Sequence, residues 1–300
     1  MNNGIISRLS LRRYHVQIWL FVVPFLLGAM VLTILPALAT VAVAFTNYNA
    51  VAAPTWAGMD NFMRLLSSVY VRISLRNTIY FLALAVPLRL LGALLLALLL
   101  QSERRGFGLH RAAVYLPTVI PEVAYALIWL WILNPVYGPL NMLLAGLGVQ
   151  GPAWLTEPGT ARFSIVLLSL FTIGEGFVIL LTGLRTIPRS YYEAARVDGA
   201  TAWQSFWRIT LPLILPWLLL LTFRDMVISL QNTFTPSFVL TYGGPYYATT
   251  FVPLLLYELA FDFFDFGMAA ALLLFTYLVI GLIIMGILNL VGSERGADDF

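Results

Sequence analysis

Ile187-Pro188-Arg189-Ser190-Tyr191-Tyr192-Glu193-Ala194-Ala195-Arg196-Val197-Asp198-Gly199-Ala200-Thr201, running on to Ile209-Thr210-Leu211-Pro212, is a polar segment set between two apolar stretches near 164–184 and 213–235. Pro188 suits the first turn of a helix and Gly199 a left-handed helix end. Thr201 with Gln204 fits a capping box that starts a second helix before Pro212 leads into the next apolar stretch. The segment therefore reads as helix, glycine turn and helix. Ala194, Ala195 and Ala200 leave a surface of little bulk, where another protein's backbone can approach closely. Glu193 can pair with Arg189 or Arg196, or across an interface. On pattern alone a solvated amphipathic loop satisfies the same residues.

The flanking stretches have four counterparts, near 17–45, 77–100, 112–133 and 267–291. Each of the six is long enough to cross a bilayer, which takes about 20 helical residues. Hydrophobic residues make up 60% of the 300-residue chain and charged residues 10%, against about a quarter charged in a soluble domain. The expectation is an all-α membrane protein with six transmembrane helices, a single membrane domain over 1–300 that contains the cytoplasmic loop 185–212. Ala37-Leu38-Ala39 resembles a signal cleavage site, but the apolar run before it is about twice the usual signal core, which predicts an uncleaved helix.

Arginine sets the orientation. With the N-terminus inside, the inner segments hold Arg8, Arg12, Arg13, Arg104, Arg105, Arg111, Arg185, Arg189, Arg196, Arg208 and Arg295. The outer segments hold Arg64, Arg72, Arg76 and Arg162. This bias places both termini in the cytoplasm. The net charge of +3 is too small and dispersed for nucleic acid, all 17 basic residues are arginine, and cysteine is absent. His15 and His110 are the two histidines, so neither a thiolate nor a histidine metal site is expected, and no phosphate-loop motif for nucleotide is present.

Five ionisable residues fall inside apolar stretches: Arg89, Glu122, Glu175, Arg224 and Asp225. Each costs about 2.5–3.5 kcal/mol at a helix centre, so each must face protein or water. One reading makes Glu175 and Asp225 acceptors for substrate hydroxyls. The other pairs Glu175 or Asp225 with Arg224, and Glu122 with Arg89, to neutralise charge between helices. Gln231, Asn232 and Phe234 supply amides and a ring near the outer end of the fifth span, and polar amides inside a span need partners. Tyr125, Trp129 and Trp131 offer further rings on the third, where interface anchoring is the competing role.

The inner loop resembles the EAA loop of binding-protein-dependent ABC importers, a pattern of Glu-Ala-Ala, Asp-Gly-Ala and Ile-Thr-Leu-Pro at fixed spacing. Glu193, Ala194, Ala195, Asp198, Gly199, Ala200, Ile209, Leu211 and Pro212 match it. Trp56-Ala57-Gly58-Met59-Asp60-Asn61-Phe62, Asn77-Thr78, Leu116-Pro117, Gly138 and Asn141 resemble elements of the carbohydrate branch, the maltose/glycerol-phosphate type. Leu240-Thr241-Tyr242-Gly243-Gly244-Pro245 resembles a loop of that branch's first permease subunit. Leu170 and Phe171 stand where a tryptophan is common, and Arg185 where glutamine is frequent.

The resemblance implies a type I importer permease fold and alternating access driven by separate subunits. It implies that Glu193, Ala194, Ala195, Asp198, Gly199 and Ala200 dock on an ATPase, and that Tyr242, Gly243, Gly244 and Pro245 meet an external binding protein. The implied partners are a second permease, two ATPase subunits holding ATP and Mg, a sugar-binding protein and membrane lipid. The implied site is the bacterial or archaeal cytoplasmic membrane. Import of a non-sugar solute by a related transporter is the alternative. An intramembrane enzyme and a structural scaffold are the other classes; the first lacks a recognisable nucleophile and base.

Overall fold

A computed structural model describes residues 18–102 and 106–297, with side chains through residue 289. Arg8, Arg12, Arg13, His15, Arg104 and Arg105, and the side chain of Arg295, lie outside what is described. Among the described residues the regular structure is helical, with one isolated β-bridge between Thr46 and Trp56. Four helices are long and apolar enough to cross a membrane: α1 (Ile18–Val43), α3 (Val69–Leu100), α10 (Ala202–Thr241) and α12 (Phe266–Ala297). Two bent pairs pass the same test, and counting each as one span brings the number to six. The first joins α4 (Phe107–Tyr115), with its 3₁₀ extension Leu116–Val119, to α5 (Glu122–Ile132). The second joins α7 (Pro158–Ser169) to α8 (Gly174–Thr186) through a 3₁₀ turn. Between them lies the short helix α6 (Pro139–Gly146).

The chain divides into two compact units, one of residues up to Ser67 with Leu259–Phe275, the other of Ser68–Glu258 with Thr276 onward. In the first, the outer-loop asparagine has a structural task. Asn61 is fully buried at the start of a short helix α2 (Asp60–Ser67), and its amide donates to the carbonyls of Ala44 and Thr46, both at 2.9 Å. It thereby satisfies carbonyls that the end of α1 leaves without helical partners. Arg64 closes the same unit with an ion pair to Asp265 at 2.6 Å.

In the second unit α3, α8 and α10 pack on one another around Leu94, Ala97, Phe177, Leu180, Leu184 and Ile214, all buried. Small residues set the spacing. A Cβ on Gly183 would lie 3.0 Å from the Trp217 ring, and one on Gly174 would lie 2.8 Å from the Cα of Tyr115. Close approach without a side chain is a membrane-helix device, because lipid supplies no hydrophobic drive to squeeze helices together.

The second helix of the inner loop and the fifth span form one helix: α10 runs unbroken from Ala202 through Pro212. A π-helical turn at Phe206–Thr210 makes this possible, with Leu211 N–H donating to Phe206 O. The wider turn lets the helix continue where the missing N–H and ring of Pro212 would otherwise break it.

Candidate substrate passage and coupling loop

Two of the spans are interrupted, and the sequence says why. Pro121 drives Ile120 out of the helical region, to ψ 131°, and the chain bends by 100° between α4 with its extension and α5. The α7–α8 pair bends by 46° at Ile173. Interrupted backbone at membrane depth is tolerated only where it is buried in protein or lines a water-filled space. Both breaks border one cavity of about 350 Å³, through Thr118, Ile120, Thr172 and Ile173.

All five intramembrane ionisable residues also border that cavity. Arg89, 6% exposed, reaches from α3 to α10, where it pairs with Asp225 at 2.9 Å and donates to Ser229. Its guanidinium also lies 5.9 Å from the centre of the Phe81 ring. Arg224 pairs with Glu175. This matches one of the pairings open in the sequence. The pairing of Glu122 with Arg89 is corrected: Arg89 is held by Asp225, and Glu122 instead accepts from the Thr235 hydroxyl at 2.9 Å. Hydrophobic periodicity identifies which residues lie in spans but not which helices cross at a given depth, so the partner of Arg89 was not readable.

Gln231 and Asn232 are exposed and border the cavity. Phe234 does not line it; it joins a ring cluster with Phe238 and Tyr257, each centroid 5.4 Å away. Tyr125 lines the cavity and donates its hydroxyl to Leu168 O at 2.6 Å, linking the third and fourth spans. Trp129 is buried against Leu133, Leu168 and Leu240, whereas Trp131 is 56% exposed, as an interface ring would be. Thr118, Thr172, Ser229 and Thr235 were missed in the sequence. The Ile120-Pro121 step was the available signal for Thr118.

The inner loop has the form its residues dictate. α9 (Arg189–Val197) follows Pro188, and Gly199 takes φ +76°. Ala200 N–H returns to Ala195 O at 2.8 Å. Thr201 and Gln204 close the capping box, each side chain on the other's backbone N–H. Glu193, Ala194, Arg196, Val197 and Asp198 are exposed, while Ala195 and Ala200 are half-buried. Tyr192 turns the other way: it packs against the α3–α8–α10 core, and its hydroxyl shares a 2.9 Å hydrogen bond with Thr210. Tyr192 thus fastens α9 to the fifth span.

In the loop that follows the fifth span, Tyr242 and Gly243 both have positive φ, +46° and +79°. A Cβ on Gly243 would lie 2.4 Å from the Thr250 hydroxyl, so the glycine is required by both space and backbone. Gly244 and Pro245 border a second cavity of about 460 Å³ with Asn134 and Leu240. The Asn77-Thr78 pair in the N-terminal third of α3 holds the loop in place. Asn77 donates to Tyr247 O and Thr250 O at 2.8 and 3.1 Å, and Thr78 accepts from Val252 N–H at 3.0 Å.

Known proteins resemble this chain in sequence and in fold. Residues 90–294 match the family model described as binding-protein-dependent transport system inner membrane component. The chain is 35% identical over 280 residues to a probable ABC transporter permease protein, YesP, of Bacillus subtilis, covering 91% of this chain and 90% of that one. It is 32% identical to the trehalose/maltose transport system permease protein MalF of Thermococcus litoralis, covering 93% and 95%. A solved bacterial ABC transporter involved in the import of the acidic polysaccharide alginate has a chain of the same fold. Its TM-score is 0.81 at 23% identity, over 96% of this chain and 99% of that one. This chain belongs to the family of inner membrane components of binding-protein-dependent transport systems.

Proposed function

We propose that the chain is the first-type permease subunit of an ATP-driven carbohydrate importer, and that all of it works as one membrane domain. The observation that carries the reading is the cavity at the two helix breaks. Carboxylates, amides and hydroxyls converge there inside an otherwise apolar bundle, a set suited to a polyhydroxylated solute. The names of relatives support it: trehalose/maltose, lactose and sn-glycerol-3-phosphate transport system permeases, at 32%, 31% and 32% identity.

In this reading Glu193 to Ala200 dock on a separate ATPase subunit, which holds ATP and Mg. Closure of two such subunits pulls α9. Because Tyr192 ties α9 to Thr210, the pull reaches α10 and the cavity opens outward. The exposed Tyr242 and the Gly243-Gly244-Pro245 turn meet the external sugar-binding protein. A solved alginate transporter in complex with a periplasmic protein supports that partner. A second permease supplies the other half of the passage, lipid covers the outside, and both termini lie in the cytoplasm, a reading that the arginine distribution supports. The test is uptake of radiolabelled oligosaccharides by cells with and without the gene. Loss of uptake of at least one sugar, restored by complementation, is expected. Unchanged uptake of all sugars, with loss of uptake for an amino acid or peptide, would overturn the carbohydrate reading.

A further inference from the structure

The charges around the cavity do not balance. Two cations, Arg89 and Arg224, face three carboxylates, Glu122, Glu175 and Asp225. Both cations are already engaged, Arg89 with Asp225 and Arg224 with Glu175. Glu122 is left with a neutral partner, the Thr235 hydroxyl, and among the described residues no ion pair reaches it.

The helix ends point the same way. Interrupted helices commonly direct the positive end of a half-helix at an anionic group of the substrate. Here α5 and α8 each begin beside the cavity, and each carries a carboxylate in its first turn, Glu122 and Glu175. The protein's own side chains therefore occupy the position in which a cargo carboxylate or phosphate would be stabilised. Glu175 is paired with Arg224, whereas Glu122 at the wall has no ion-pair partner among the described residues.

We propose that Glu122 is a specificity-determining residue that makes this half of the passage accept uncharged carbohydrate and turn back sugars bearing a carboxylate or phosphate. The proposal rests on the carbohydrate reading above. An anionic sugar entering the cavity meets a carboxylate without a countercharge, and both arginines there are already paired with carboxylates of the chain. A neutral sugar meets the same carboxylate as a hydrogen-bond acceptor for its hydroxyls, beside the amides of Gln231 and Asn232.

The test is equilibrium binding of radiolabelled sugars to the purified complete transporter, with the binding protein omitted so that the ranking reflects the passage. Neutral, uronate-containing and phosphorylated disaccharides of matched size are compared. The native complex is expected to bind the neutral sugar at least about tenfold more tightly, because a like charge set against a ligand disfavours it. Glu122→Gln should raise the acidic-to-neutral affinity ratio by about tenfold, while Glu122→Asp should keep the native preference. That ratio responds to charge and is insensitive to a general loss of fold. Equal binding of acidic and neutral sugars by the native complex, or an unmoved ratio in an assembled Glu122→Gln complex, would overturn the proposal alone. Binding of neither class, with binding of another solute, would overturn the carbohydrate reading and the proposal with it.

Discussion

Arg89 of α3 and Asp225 of α10 form an ion pair of 2.9 Å inside the membrane domain, with Ser229 taking a further guanidinium donor. The pair joins two spans that also pack through their apolar faces. Asp225→Asn leaves Arg89 buried without a countercharge and should lower stability by about 3–5 kcal/mol. Replacing both residues with apolar ones of similar volume, Arg89→Met with Asp225→Leu, should recover most of that loss. Thermal unfolding of the detergent-purified proteins checks both. A double variant as unstable as the sum of the singles would mean the two side chains are not coupled.

Gly199 ends α9 at φ +76°, and a Cβ there would meet nothing within 4 Å. The cost of Gly199→Val is therefore one of backbone conformation, about 1–2 kcal/mol. It should distort the turn and cut sugar uptake by about tenfold while the protein remains in the membrane, a tenfold change being worth about 1.4 kcal/mol. Gly199→Asn, which tolerates the left-handed region, should retain more uptake than Gly199→Val. Equal uptake by all three proteins would show that the turn does not transmit coupling.

Asn77 bonds two carbonyls of the 242–252 loop. Asn77→Ala should strand both acceptors and destabilise the loop locally by about 1–3 kcal/mol. Hydrogen exchange of Gly243, Thr249 and Thr250 should accelerate, whereas exchange in α9 should not change. Uniform acceleration throughout the chain would instead indicate a global loss of fold.

Asn232 lies exposed at the cavity wall. Asn232→Ala should weaken sugar binding to the complete transporter by about tenfold, the scale of one lost hydrogen bond to a site group, without lowering its thermal stability. Unchanged affinity would remove Asn232 from the substrate contacts.

The helical class, the positions of the spans and the form of the inner loop were legible because each follows from local chemistry. Apolar runs of bilayer length, the left-handed Gly199 and the Thr201–Gln204 box require no knowledge of distant residues. The bends were only half legible: Pro121 marks one, while the break at Ile173 carries no proline, and Gly174 beside it packs closely on Tyr115. Intramembrane pairing was the least legible. Arg224 with Glu175 was among the open alternatives, but Arg89 with Asp225 and Glu122 with Thr235 depend on which helices cross at the same depth. Phe234 illustrates the same gap, since its neighbours Gln231 and Asn232 face the cavity and it faces Phe238 and Tyr257.

The most direct test of the account is capture of the tagged chain from its native membrane in mild detergent, followed by mass spectrometry of what comes with it. Recovery of an ATPase subunit together with a second, related permease is predicted, and Glu193 to Ala200 should be shielded from labelling in that complex. Recovery of the chain alone, under conditions in which other transporter complexes from the same membrane stay intact, would contradict it.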